Sequence, residues 1–165
     1  GRYFDAFGSL FLGRACASFE GQVALEWNQA ADPTVTHGYP FDVSSVATID
    51  GGEEAELLEI DLRPTVRAAI SDRTHGVGIE TIAAAFHNTL AAATFAVVGR
   101  LNATIGPLPV VASGGCFQNA LLAERVQAAF APDQHVLLHR TVPPGDGGIA
   151  LGQAVIAEAI TNADC

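Results

Sequence analysis

Asp146 is the one charged side chain in the stretch Gly145-Asp146-Gly147-Gly148. A carboxylate in such a loop can ligate a hard or borderline cation, or cap the turn it sits in. A second glycine pair occurs in Ser113-Gly114-Gly115. Glycine permits positive φ and lets backbone N–H groups approach a phosphate closely, and a following helix adds its positive end. Either pair alone would also serve as a tight turn. Two of them after adjacent strands, one with a carboxylate, point towards phosphate or metal–phosphate binding. His135 and His139 have the spacing that lets two imidazoles share a metal on a helix. The intervening Val136-Leu137-Leu138 reads as strand, which sets them ~13 Å apart and excludes a shared ion. His87 lies beside the apolar stripe of a long helix, where a hydrogen-bonded, partly buried imidazole is the expected state; with Glu20 it is a nominee for a catalytic base. Cys116 follows the glycine pair near a helix start, where a thiolate would be stabilised, although a small buried side chain suits the position better.

The elements that must position these groups follow from periodicity. Tyr3, Phe4, Phe7, Leu10 and Phe11 share one helical face, so residues 2–12 read as an amphipathic helix ended by Gly13. Residues 22–31 read as a second helix, with Trp27 in a core or an interface. Residues 33–54 mix Pro, Gly, Thr and Ser with short β-branched pieces, giving loops and edge strands. The run Glu53-Glu54-Ala55-Glu56 reads as a solvated face. Alternation over Leu57–Leu62 suits a strand with one wet face, and Arg63-Pro64 starts a helix to Asp72. Ile79, Ile82, Ala83, Phe86, Leu90, Ala93, Val97 and Leu101 mark a long helix over 79–104. The last 60 or so residues then run strand (108–113), glycine loop, helix (119–130), strand (135–139), glycine loop, helix (148–160). That order predicts an α/β fold with adjacent parallel strands.

Composition narrows the function classes. With 165 residues, 49% hydrophobic and 16% charged, the chain is one domain with ample core material. Disorder and collagen-like repeats are excluded. A net charge of −10 disfavours a nucleic-acid surface. All eight basic residues are Arg, so no lysine amine is available. Three widely spaced cysteines (Cys16, Cys116, Cys165) form neither a disulfide framework nor a thiolate zinc site, and fit a reducing cytoplasm. No stretch offers ~18 clean apolar residues, so no membrane partner is expected. The chain has no Met and begins at Gly1 inside a helical pattern, so it is expected to be an excised piece of a longer protein, inactive alone.

The ordered set Gly1-Arg2-Tyr3-Phe4-Asp5-Ala6, Phe19-Glu20-Gly21-Gln22, Phe86-His87-Asn88-Thr89-Leu90-Ala91, Ser113-Gly114-Gly115-Cys116-Phe117-Gln118-Asn119 and Val142-Pro143-Pro144-Gly145-Asp146-Gly147-Gly148-Ile149-Ala150-Leu151-Gly152-Gln153 closely resembles the C-terminal part of HypF-type carbamoyltransferases, which mature nickel–iron hydrogenases. The resemblance runs to about residue 158. Gly145 stands where the family usually has Asn, Cys116 where it usually has Val, and Ala120 where Arg is common. The resemblance implies that residues 1–165 form the second lobe of a Kae1-like domain, an actin/hexokinase-type ATPase fold with a ribonuclease-H-like core and helical insertions. It implies ATP or carbamoyl-adenylate as ligand and transfer of the carbamoyl group to the C-terminal cysteine of a HypE-like acceptor. It assigns Asp146 to a divalent metal (iron, zinc or magnesium), whose histidine ligands lie upstream in the first lobe. Asp5 and Gly21 match contacts on the sugar side of the nucleotide, and Gly114, Gly115 and Asn119 match its phosphate and adenosine contacts. Acylphosphatase, zinc-finger and YrdC-like domains are expected elsewhere in the same longer chain. The competing readings are an O-carbamoyltransferase, a threonylcarbamoyl transferase acting on transfer RNA, and a non-catalytic nucleotide-binding or docking lobe. Cys165 at the chain end reads as chance rather than as an acceptor cysteine.

Overall fold

The computed structural model describes residues 2–50 and 53–163, with the side chains of 49–50, 53–55 and 163 left aside. Gly1 and Cys165, and the side chains of the acidic run before Glu56, lie outside the described residues; Glu56 itself is exposed. Helices α1 (Arg2–Leu12) and α2 (Gln22–Ala30) pack on each other and on α4 (Ile79–Ile105), with α3 (Arg63–Thr74) against α4 from another side. Between α2 and α3 stands an antiparallel hairpin, β1 (Asp42–Asp50) and β2 (Glu53–Asp61), in register from Asp42↔Asp61 to Asp50↔Glu53. After α4 come β3 (Val110–Ala112), α5 (Ala120–Phe130) and β4 (Val136–Leu138). β3 and β4 are parallel neighbours, Val110↔Val136 to Ala112↔Leu138, joined through α5 as strand order predicts. Helix α6 (Ile149–Ala163) closes the chain.

The core is aromatic and sits between α1, α2 and α4. Phe7 stacks on Phe86 with centroids 4.2 Å apart, Phe4 meets Phe86 edge-on at 5.3 Å, and Phe11 stacks on Trp27 at 5.6 Å. Close approach of α1 to α2 depends on Gly8, because a Cβ there would stand 2.6 Å from Val23 Cγ1 and 2.9 Å from the Val23 carbonyl oxygen. α4 is long and apolar enough to cross a membrane by length and composition, contrary to the expectation that no such stretch exists. Half of that window is covered by protein, and Ile82, Ala83, Ala85 and Phe86, in the first turns of the helix, are fully buried, so the apolar stripe is the core seam of this fold.

The hairpin is the main departure from the sequence reading. The loop-and-edge-strand segment 33–54 contains a complete nine-residue strand, β1. The wet-faced strand expected from Leu57 begins at Glu53 and stops at Asp61, with Leu62 buried as the residue that precedes α3. Val46, Leu57 and Ile60 are substantially exposed, so the pair is solvated beyond the single wet face expected.

Candidate functional site

Two structural units face each other across an open cleft of about 590 Å³. One wall comes from α1, the 13–21 loop and α2, and brings in Phe4, Asp5, Glu20, Gly21, Ala24, Leu25 and Asn28. The other comes from the two glycine loops and brings in Gly115, Cys116, Gln118, Asn119, Gly145, Asp146 and Gly147. Sequence reasoning had singled out Asp5, Glu20, Gly21, Gly115, Asn119 and Asp146, and the fold gathers all six round this one space. Gly114 is not among the lining residues.

The first wall is set by local bonds. Gly21 has φ +79° and precedes α2, a left-handed conformation that favours glycine. The loop before it is strapped to α2: Arg14 donates through Nε and Nη2 to the Glu26 carboxylate, both at 2.7 Å, Gln22 Nε2 donates to Glu26 at 2.9 Å, and the Ser18 amide donates to Gln22 Oε1. The arginine hydrogen bond, seconded by Gln22, holds the Glu26 carboxyl below its ordinary range. Ala24, Leu25 and Asn28 were missed by sequence reasoning. Their signal was present as the 21, 24, 25, 28 spacing of one helical face.

The second wall differs in detail from expectation. A 3-10 turn (Gly115–Gln118) intervenes between the glycine pair and α5. The left-handed residue is Gly114, at φ +93°, whereas Gly115 is not among the positive-φ glycines. A Cβ on Gly115 would meet nothing within 4 Å. Asn119 caps α5, its Oδ1 accepting the Leu122 amide at 2.9 Å. In the other loop, Gly148 is fixed by packing: a Cβ there would stand 2.7 Å from the Pro143 carbonyl oxygen. Cys116 is half-buried: it packs against the edge of the core and also lines the cleft.

His87 is fully buried and does not line the cleft. Its Nδ1 lies 2.7 Å from the Ala83 carbonyl oxygen and its Nε2 2.8 Å from Asn119 Nδ2. With both ring nitrogens engaged it reaches no reacting atom directly, so of the two nominated bases Glu20, exposed at the cleft, is the one with access. Burial pushes the imidazole below its ordinary range; the Ala83 bond opposes this and the Arg125 charge adds to it. His135 and His139 flank β4, and His139 Nε2 pairs with Ser113 Oγ at 2.8 Å, as befits two histidines spread along a strand.

Asp146 is exposed and its carboxylate has no hydrogen-bond or ion-pair partner among the described residues. Among the described residues no group of three or more His, Cys, Asp or Glu is placed to hold an ion. Asp146 therefore fits a single hard oxygen ligand and not a complete site.

Residues 1–153 match the family described as carbamoyltransferase, Kae1-like domain, second subdomain. The chain belongs to the HypF carbamoyltransferase family. It is 32% identical to carbamoyltransferase HypF2 of Cupriavidus necator, over 95% of this chain and 21% of that protein. It is 34% identical to carbamoyltransferase HypF of Rhodobacter capsulatus, over 96% of this chain and 19% of that one. The chain thus spans about a fifth of the length of its HypF relatives. A crystal structure of full-length HypF in a phosphate- and nucleotide-bound form superposes with a TM-score of 0.80 at 32% identity, over 97% of this chain and 20% of that one. HypF of T. kodakarensis superposes at 0.74 with 21% identity, which speaks to the fold. The α/β second lobe of a Kae1-like domain expected from the motifs is the architecture found.

Proposed function

We propose that this chain supplies the nucleotide-facing wall of a HypF carbamoyl-transfer site, and that the complete protein passes a carbamoyl group from carbamoyl-adenylate to the C-terminal cysteine of a HypE-like acceptor. The observation that carries this reading is the convergence of Asp5 and Gly21 with Gly115, Asn119 and Asp146 on one cleft, in a chain that superposes on a nucleotide-bound HypF. Asp5 offers an acceptor to ribose hydroxyls, Ala24 and Leu25 an apolar surface to a base, and the glycine loops offer backbone amides to phosphate oxygens.

In the transfer, the acceptor thiolate attacks the carbamoyl carbon, a C–S bond forms, and the C–O bond to the adenylate phosphate breaks with its electron pair leaving on AMP. A thiolate is already nucleophilic, so the protein's task is orientation and stabilisation of the leaving phosphate. Glu20, exposed at the cleft, is the nominee for taking up the acceptor's proton as the thiolate forms. Asp146 would hold a divalent cation, which supplies charge neutralisation at the phosphates when bound. The remaining ligands would have to come from outside the residues of this chain. The cytoplasm, where thiols stay reduced, suits such an acceptor.

The test is ATP titration by calorimetry into the full-length protein and its Gly115→Val variant, with melting temperatures recorded alongside. Since a Cβ on Gly115 meets no protein atom within 4 Å, valine should crowd the ligand and spare the fold. Loss of ATP affinity with an unchanged melting temperature supports the reading, and unaltered affinity places the phosphates elsewhere.

A further inference from the structure

His87 and Asn119, 32 positions apart, meet beneath the cleft floor. We propose that His87 is a positioning residue, holding the Asn119 carboxamide in a single orientation so that one of its N–H bonds is presented to the nucleotide. The inference rests on the nucleotide-binding reading above and adds a residue that touches no ligand.

The donors and acceptors fix the orientation. The Ala83 carbonyl can only accept, so His87 Nδ1, 2.7 Å away, carries the ring proton. In the neutral ring Nε2 is then an acceptor, and Asn119 Nδ2 donates to it at 2.8 Å. On its other side Asn119 Oδ1 accepts the Leu122 amide at 2.9 Å. A flipped carboxamide would set oxygen against the Nε2 lone pair and N–H against N–H, losing both bonds at once. The imidazole has no freedom to turn either. It is fully buried, and the Phe4 and Phe86 rings lie edge-on to it with centroids at 5.3 and 5.9 Å. One Nδ2 proton of Asn119 is committed to His87. The second has no protein acceptor among the described residues, and Asn119 lines the cleft. That N–H is the group a ligand oxygen or ring nitrogen would find pre-aligned, without an entropic cost of ordering the side chain on binding.

The inference is checked with three variants of the full-length protein. His87→Phe keeps the ring volume and removes both nitrogens. His87→Gln places an amide oxygen near the Nε2 position and so restores an acceptor to Asn119. His87→Asn reproduces the Nδ1 side alone. ATP dissociation constants and melting temperatures are measured for each. The expected pattern is ATP binding weakened about five- to tenfold in the Phe and Asn variants, the worth of one hydrogen bond, and recovered to within about twofold in the Gln variant. That recovery must hold even if the Gln variant melts as low as the others, because a purely structural role would make affinity follow melting temperature. His87→Phe binding ATP like wild type overturns the inference while leaving the nucleotide site standing. Affinity that falls in step with melting temperature across all three variants overturns it as well. Wild-type protein that binds no ATP defeats the site reading itself, and the positioning role falls with it.

Discussion

The two walls of the cleft rest on unequal foundations. Behind Asp5 and Gly21, the rings of Phe4, Phe7, Phe11, Trp27 and Phe86 are each no more than 7% exposed and interlock across three helices. Behind Asp146, α6 carries Ile149, Leu151, Val155, Ile156 and Ile160 at 52–61% exposure, and the strand pair that launches the loops is three residues long on each side. Val111 and Leu137, partners in that pair, are also more than half exposed. Local stability follows buried apolar contact, so the helical wall is the rigid frame and the α6 side the softer one. Asn119 belongs to the second wall by sequence but is tied through His87 to the first.

The largest effect separates the walls most plainly. Phe86→Ala removes the ring at the centre of the aromatic cluster and should cost ~3–5 kcal/mol in denaturant unfolding, with Ile156→Ser on α6 staying within ~0.5 kcal/mol. Similar losses for the two would mean that α6 is as firmly packed as α4, and the contrast would fail.

Gly8→Ala probes the frame from the other direction. Its new methyl would have to displace Val23 Cγ1 at 2.6 Å and the Val23 carbonyl at 2.9 Å, with Trp27 Cβ at 3.3 Å behind them. Backbone cannot yield as a side-chain tip can, so overpacking should destabilise by ~1–3 kcal/mol and raise no new activity. A neutral result in thermal melts would show that α1 can slide on α2 and that this wall is less rigid than its burial implies.

The helices that build the frame were readable because each presents an apolar face at 3- and 4-residue steps, and Phe86 falls on the α4 stripe. The parallel pair was readable because short apolar runs bracket a helix in strand–helix–strand order. The hairpin was only partly readable: β1 places Ser44, Ser45 and Thr48 at exposed positions, so no buried face imprints a clean alternation, although the Gly51-Gly52 pair in the sequence was a turn signal. Site residues carried by glycine loops were visible as motifs. The His87–Asn119 bond was not, because it joins α4 to the cap of α5 through tertiary packing that no local pattern encodes. The same distinction explains Gly114 and Gly115: the pair was evident, but which of the two takes the left-handed turn is decided by the chain around it.

A smaller, pH-dependent effect belongs to the bond that joins the walls. Burial holds the folded His87 imidazole below its ordinary value near 6.5. The unfolded chain therefore binds the extra proton more readily than the folded one. The stabilisation is fully present above the unfolded value and is lost as pH falls from there towards the depressed folded value. Arg125 is the charged group that acts on the ring and disfavours its protonation. Melting temperature should thus fall as the pH drops below about 6.5 in the wild type, and fall less in His87→Phe, which has nothing to protonate at that position. Parallel pH profiles for the two proteins would assign the acid sensitivity to other groups.

The smallest effect has the opposite sign and tests the soft wall alone. Gly152 lies within α6, and a Cβ built there meets nothing within 4 Å. Glycine in a helix interior costs ~0.5–1 kcal/mol relative to alanine, because it loses more backbone freedom on folding. Gly152→Ala should therefore strengthen α6 by up to that amount, seen as slower amide exchange across residues 152–160 with no change in α4. Because α6 makes few contacts with the frame, the gain should stay local and move the global melting temperature little. The contrast with Gly8 is the point of the experiment: the same added methyl should harm the packed wall and help the exposed one. A destabilised Gly152→Ala variant would mean that this face of α6 is pressed against another surface in the protein, with the glycine kept to admit it.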